Sequence, residues 1–228
     1  MKGDTSAIRP EVDARARQSL GISDSAIYGM VVRVLDERRI AGGKLVDVGC
    51  GAGNLWTFVR DRFEAYVGVD ALRYDGFPAD AEFCGVDLDA GGVPLADNSA
   101  HVVTALEAIE HVENPRALLR ELVRLARPGG WILVTTPNQL SLLSLTCLVV
   151  KKRFSAFQEV HYPAHLTALL EVDLRRIASE CRLTELDIVY SYRGRIPLTA
   201  GYYPERLARA FPRALSDNVL LVGRKQNG

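Results

Sequence analysis

Apolar residues recur along this chain with two periods, and the alternation between them predicts its elements. Over residues 26–40, AIYGMVVRVLDERRI, they return every three to four positions, as on one face of a helix, and Gly42 and Gly43 then stop it. Compact apolar runs follow at 44–50 (KLVDVGC), 65–70 (AYVGVD), 101–106 (HVVTAL) and 130–136 (GWILVTT), and they read as buried strands. Helical patterns lie between them at 54–63 and 116–127. Two further strands are expected at 183–192 and 218–225, with RRIASECRL as the helix before the first and YPERLARAF, 203–211, as a helix between them. Such alternation predicts βαβ units, an α/β fold and a mostly parallel sheet. Residues 138–170 lack a clear period and read as an irregular insert.

Composition narrows the partners. The 228 residues suit one large α/β domain. Lys plus Arg and Asp plus Glu both total 28, so no global field draws the chain to nucleic acid or an anionic membrane, and a small-molecule partner is expected. Cys50, Cys84, Cys147 and Cys181 lie far apart without a CxxC pair, as reduced thiols of a cytoplasmic protein would. The first residues lack the apolar centre of a signal peptide, and no run reaches the length of a membrane span.

The first strand runs directly into DVGCGAGN, where Gly49, Gly51 and Gly53 are spaced G-x-G-x-G ahead of a helix. Glycines there let the backbone turn sharply and a ligand approach the helix N-terminus. The next strand ends in Asp70, 19 residues after Gly51, where a carboxylate in this architecture accepts bonds from ribose hydroxyls. The dinucleotide form G-x-G-x-x-G seats a pyrophosphate on the helix end. The shorter spacing, with Asp47 two residues ahead of the first glycine, would repel a diphosphate and suits a ligand with an amino group.

VDVGCGAG (46–53), VGVD (67–70), FCGVDL (83–88), PLADNSAHVVTALEAIEHV (94–112) and LARPGGWILVTTPN (125–138) together resemble the class I S-adenosylmethionine (SAM)-dependent methyltransferases. The resemblance covers about residues 30–225 and points to the ubiquinone-pathway, type 11 O-methyltransferase-like group. It implies a Rossmann-like seven-stranded sheet, mostly parallel with its last strand antiparallel, and helices on both faces. A single domain would then comprise an N-terminal helical cap (1–41), a SAM-binding core (42–137), a lid or acceptor insert (138–170) and the C-terminal part of the sheet (171–228). It further implies that Asp47, Gly49, Gly51 and Gly53 surround the amino-acid part of SAM, and that Asp70, with Ala71 beside it, holds the ribose. Asp87 and Leu88 would flank the adenine, while Leu106 and Glu107 close the site. His101 stands where similar proteins carry Asp, a change expected to act on local hydrogen bonding.

Within TALEAIEHVENP, residues 104–115, Glu107, Glu110 and His111 fall at i, i+3 and i+4, on one face if they begin a helix. Acidic residues also suit the positive end of a helix dipole, so the spacing alone leaves two readings. A methyltransferase places its acceptor beside this strand end, which makes His111 a candidate general base and Glu110 its companion. The arrangement also resembles that of small-RNA 2'-O-methyltransferases and ubiquinone-pathway O-methyltransferases. By that resemblance Glu107, Glu110, His111 and His165 would hold Mg²⁺, Mn²⁺ or Zn²⁺, with His165 preferred over His161 because it lies nine residues before Leu174.

The expected reaction is SAM-dependent methyl transfer, most readily O-methylation of a partly apolar quinone-like, glycan or secondary-metabolite acceptor. A nicotinamide-dependent oxidoreductase shares the strand-loop-helix start, but the third-glycine spacing and a Tyr-x-x-x-Lys pair are lacking. A catalytically silent subunit on the same fold would have no need of Gly49, Gly51, Gly53 and Asp70. Residues 138–157 hold an apolar run followed by Lys151, Lys152 and Arg153, read either as a lid over the acceptor or as a peripheral membrane contact through 140–153. Arg206, Arg209 and Arg213 read as a solvated face.

Overall fold

The computed structural model describes residues 8–19 and 21–227; residues 1–7 of the expected N-terminal cap lie outside them. One sheet contains β1 (Lys44–Val48), β2 (Ala65–Asp70), β3 (Glu82–Gly85), β4 (Ala100–Leu106), β5 (Ala126–Pro137), β6 (Leu183–Tyr190) and β7 (Asn218–Lys225), in the order β3-β2-β1-β4-β5-β7-β6. The pairs among β1 to β5 are parallel, whereas β7 runs antiparallel to both β5 and β6. This is the expected seven-stranded sheet with its last strand reversed.

Helices cover both faces because successive strand residues point to opposite sides. Val46, Val48, Val67, Val69, Val103 and Ile132 pack with leucines of α4 (Pro115–Leu125) and with Leu174 and Ile177 of α6 (Glu171–Glu180). Leu45, Tyr66, Val102 and Leu133 pack on the other side with α2 (Ser25–Glu37) and α3 (Asn54–Val59). The α2 helix starts where the Asp24 side chain accepts from the Ala26 amide, and it buries Ile27, Met30, Val31, Val34 and Leu35 on one stripe. At α4 the Asn114 side chain accepts from the Ala117 amide and Pro115 occupies the first turn. The remaining helices are α1 (Pro10–Ser19), α5 (Leu142–Lys151), α7 (Glu205–Ala210) and α8 (Pro212–Leu215).

Several expectations are corrected. Residues 107–113 form turns rather than a helix start, because Glu107 adopts a left-handed φ of 51° and α4 begins only at its Asn114 cap. The helix expected at 116–127 stops at Leu125, since Ala126 pairs with Ala100 in the sheet. The helix expected at 203–211 covers only Glu205–Ala210, and a second short helix follows it at Pro212–Leu215. Strand β3 matches none of the expected apolar runs because it is a four-residue edge strand with exposed ends. Arg209 and Arg213 are exposed but engaged: Arg209 lies 4.6 Å over the Tyr192 ring, and Arg213 donates to Glu171 at 2.7 Å.

β1 has β2 on one side and β4 on the other, so successive strands leave it in opposite directions. The carboxyl ends of these strands border the crevice in which open α/β sheets bind ligands.

Candidate active site

The glycine loop is shaped by what presses on it. Gly49 and Gly51 have φ of 75° and 53°. A Cβ on Gly49 would sit 2.5 Å from the Ala108 Cβ, and one on Gly51 would sit 2.2 Å from the Gly21 carbonyl oxygen. Only glycine fits such approaches. The Ala52 amide donates to that Gly21 oxygen at 2.9 Å, so the chain between α1 and α2 is laid across the loop. From the end of β2, Asp70 Oδ2 accepts the Gly51 amide at 2.8 Å. Burial raises the Asp70 carboxyl above its ordinary range.

These residues border a cavity of about 450 Å³. Of the positions singled out in the sequence, Asp47, Gly49, Gly51, Asp70, Ala71, Leu88, Leu106, Glu107, His111 and His165 line it; Gly53, Asp87 and Glu110 do not. Gly53 instead precedes α3, with a φ of 73°. Asp47 is buried, accepting from Tyr66 Oη at 2.8 Å and Thr104 Oγ1 at 2.6 Å, and burial pushes its carboxyl up to about 6. Asp87 is taken by α1's approach: Arg9 donates to both of its oxygens, at 2.7 and 3.2 Å, and holds its carboxyl below the usual range. His101 Nδ1 accepts the Lys44 amide at 3.2 Å, the local hydrogen-bonding role expected of that departure.

The turn after β4 and the insert meet at a second cluster. Ligand atoms of Glu110, His111 and His165 lie within 4.8 Å of one another. Glu107 stands outside this group, its amide donating to Thr135 Oγ1 at 2.8 Å and its Oε2 accepting from Asn218 Nδ2 at 3.0 Å. Two backbone bonds hold the insert against the turn, from the Leu166 and Thr167 amides to the Glu110 carbonyl, at 2.8 and 3.1 Å. The rings of His111 and His165 meet edge to face with centroids 4.6 Å apart. Glu110 is wholly buried, and neither of its carboxylate oxygens, nor His165 Nδ1, has a hydrogen-bond partner among the described residues. Burial, with Glu107 nearby, drives the Glu110 carboxyl well above its ordinary value. Burial, with His165 nearby, lowers the His111 imidazole to about 4, and His165 is lowered mainly by burial too. Both imidazoles are therefore neutral at pH 7, the form that accepts a proton or binds a metal.

A family model described as a methyltransferase domain matches residues 27–188. The chain belongs to this family of class I SAM-dependent methyltransferases. A ubiquinone biosynthesis O-methyltransferase of Chromobacterium violaceum is 32% identical over 111 residues, covering 44% of this chain and 47% of that protein. The like-named protein of Pseudomonas entomophila (strain L48) is 31% identical over 118 residues, covering 47% and 50%. The chain thus spans about half the length of these curated relatives. A SAM-dependent methyltransferase from Archaeoglobus fulgidus shares the fold, with a TM-score of 0.63 at 16% identity and coverage of 92% and 97%.

The cavity has walls that sequence patterns do not disclose. Arg15 and Ser19 come from α1, Asn218 from the start of β7, and Arg193, Arg195 and Tyr202 from the chain after β6. None of these belongs to a motif; they reach the cavity because the ends of the parallel strands and the N-terminal helix converge there.

Proposed function

We propose that the protein transfers the methyl group of SAM to an oxygen of a small, partly apolar acceptor of quinone-like, glycan or secondary-metabolite type. The observation that carries this reading is the cluster of Glu110, His111 and His165 beside the cavity bordered by Gly49, Gly51 and Asp70. The relatives named as O-methyltransferases support oxygen as the acceptor atom.

SAM fits the donors present. The glycine loop admits close approach of its amino-acid part, Asp70 offers a carboxylate to ribose hydroxyls, and no phosphate seat is required. When bound, SAM supplies a methyl group on a sulfonium, ready for displacement by a nucleophile. The chain's part is to align that nucleophile and manage its proton. His111, neutral and on the cavity wall, takes the proton of an acceptor hydroxyl as the oxygen engages the methyl carbon. Val12, Ile22, Ile27, Leu88 and Val112 give the cavity apolar surface that favours a partly apolar acceptor.

A divalent cation also fits, because the orphaned oxygens of Glu110 and the orphaned His165 Nδ1 are buried groups in need of a partner. Glu110, His111 and His165 would hold Mg²⁺, Mn²⁺ or Zn²⁺, which would lower the pKa of a coordinated hydroxyl. Turnover should be measured with an acceptor found by mass-detected screening, after exhaustive chelation and after metal add-back, on wild type and His165→Ala. Activity lost on chelation and restored by metal, with a severe His165→Ala defect, supports the cation. Full activity of the chelated enzyme with a mild His165→Ala defect removes the cation and leaves His111 as base. No methylated product from any oxygen acceptor, alongside transfer to nitrogen or carbon, would overturn the O-directed reading.

A further inference from the structure

Helix α5 is apolar on both sides: Leu143, Cys147 and Leu148 flank Ser144 on its half-buried side, and a second apolar face is turned outward. Within it only Ser144 is buried, while Leu142, Leu145, Val149 and Val150 are 45%, 39%, 70% and 69% exposed. At about 100° per residue these four side chains and Thr146 share one arc roughly 140° wide, and Ser144 lies on the opposite side. Ser144 is fastened inward: its Oγ donates to Gln139 Oε1 at 3.4 Å and accepts the Ser155 amide at 3.2 Å. A surface helix in water ordinarily keeps a polar face toward solvent, and α5 does not. An outward face of leucine and valine marks a partner.

Charge identifies the partner. Lys151, Lys152 and Arg153 follow the apolar face, all three exposed, and the helix ends at Lys152 with a left-handed φ of 60°. Arg153 pairs with Glu159, but neither lysine has a salt-bridge partner among the described residues. The helix itself carries no acidic residue, so a second copy stacked on this face would bring cations without the anions to meet them. Val160 and Tyr162, later in the same insert, are also 74% and 67% exposed. No helix among the described residues is long and apolar enough to cross a membrane, and ten residues of helix span only about 15 Å.

We propose that residues 142–153 dock on the surface of a bilayer containing anionic lipid. The Leu142, Leu145, Val149 and Val150 face enters the boundary between headgroups and acyl chains, and Lys151, Lys152 and Arg153 meet the headgroup phosphates. The same insert continues into Ser155, Ala156 and His165 on the cavity wall, so docking sets one wall of the cavity close to the lipid surface, where apolar acceptors partition.

The test is co-sedimentation of the full chain with vesicles of phosphatidylcholine alone and with about one third phosphatidylglycerol. Wild type is expected to sediment with the anionic vesicles and to be released by salt. Reversal of Lys151, Lys152 and Arg153 to Glu should lower partitioning on the order of a hundredfold. Leu145→Glu with Val149→Glu should abolish sedimentation with the anionic vesicles. These side chains are exposed, and unchanged SAM affinity by calorimetry checks that the variants remain folded. Wild type that ignores both vesicle types, or variants that bind as wild type does, would overturn the proposal. So would a dimer in solution that Leu145→Glu with Val149→Glu dissolves, which would assign the face to a second copy. None of these outcomes depends on the identity of the methyl acceptor.

Discussion

Lowering the pH should weaken this protein through His111, and the amount follows from its surroundings. Burial against the His165 ring holds the imidazole near 4, against about 6.5 in an unfolded chain. The folded state therefore binds fewer protons than the unfolded state between these values. Stability from this group is fully present above pH 6.5 and is lost as pH falls through the folded pKa. Between pH 7.5 and 5.0 the loss amounts to about 2 kcal/mol. Urea unfolding of chelated, ligand-free protein measures it, with His111→Gln as the reference. The substitution removes the titrating group and the ring contact together, so the absolute stabilities of the two proteins will differ. The informative quantity is the change in their difference with pH. Wild type should lose about 2 kcal/mol more than His111→Gln across this interval, or roughly 4–8 °C in melting temperature for a chain of this size. Parallel losses in the two proteins would refute the low His111 pKa and, with it, the argument that this imidazole is neutral because it is buried.

Two further substitutions probe the cofactor half of the site. Asp70→Ala removes the proposed acceptor for the ribose hydroxyls and the clamp on the Gly51 amide, so SAM should bind about 10- to 150-fold more weakly by calorimetry; unchanged affinity would take Asp70 out of the site. Gly51→Ala places a methyl group against the Gly21 carbonyl, 2.2 Å away, and should cost about 1–3 kcal/mol in stability and weaken SAM binding as the 21–24 segment is displaced. A melting temperature and affinity matching wild type would show that this segment does not press on the loop.

What the sequence determined by itself was local. Valine-rich runs such as AYVGVD and GWILVTT announce strands because both faces of a parallel sheet are buried, and the stripe of Ile27, Met30, Val31, Val34 and Leu35 announces a helix because one face must be. Glycines between a strand and a helix, followed by Asp70 at the end of the next strand, carry a ligand signal because backbone sterics and ribose chemistry act over short, fixed spacings. Contacts without a spacing rule were decided by the tertiary structure. His165 reaches His111 across 54 residues because the Leu166 and Thr167 amides bond the Glu110 carbonyl. Arg9 claims Asp87, 78 residues away, and Asn218 claims Glu107, 111 residues away, so two carboxylates assigned by motif already have protein partners. The i, i+3, i+4 spacing of Glu107, Glu110 and His111 suggested a helix face, yet a left-handed residue at Glu107 turns the chain and brings Glu110 and His111 to the histidine of another segment. The apolar run of α5 could be read from its composition, but not which way it faces. Composition records that the helix is greasy all round; only packing decides which side meets the protein and, with Ser144 fastened inward, which is left for something outside the chain.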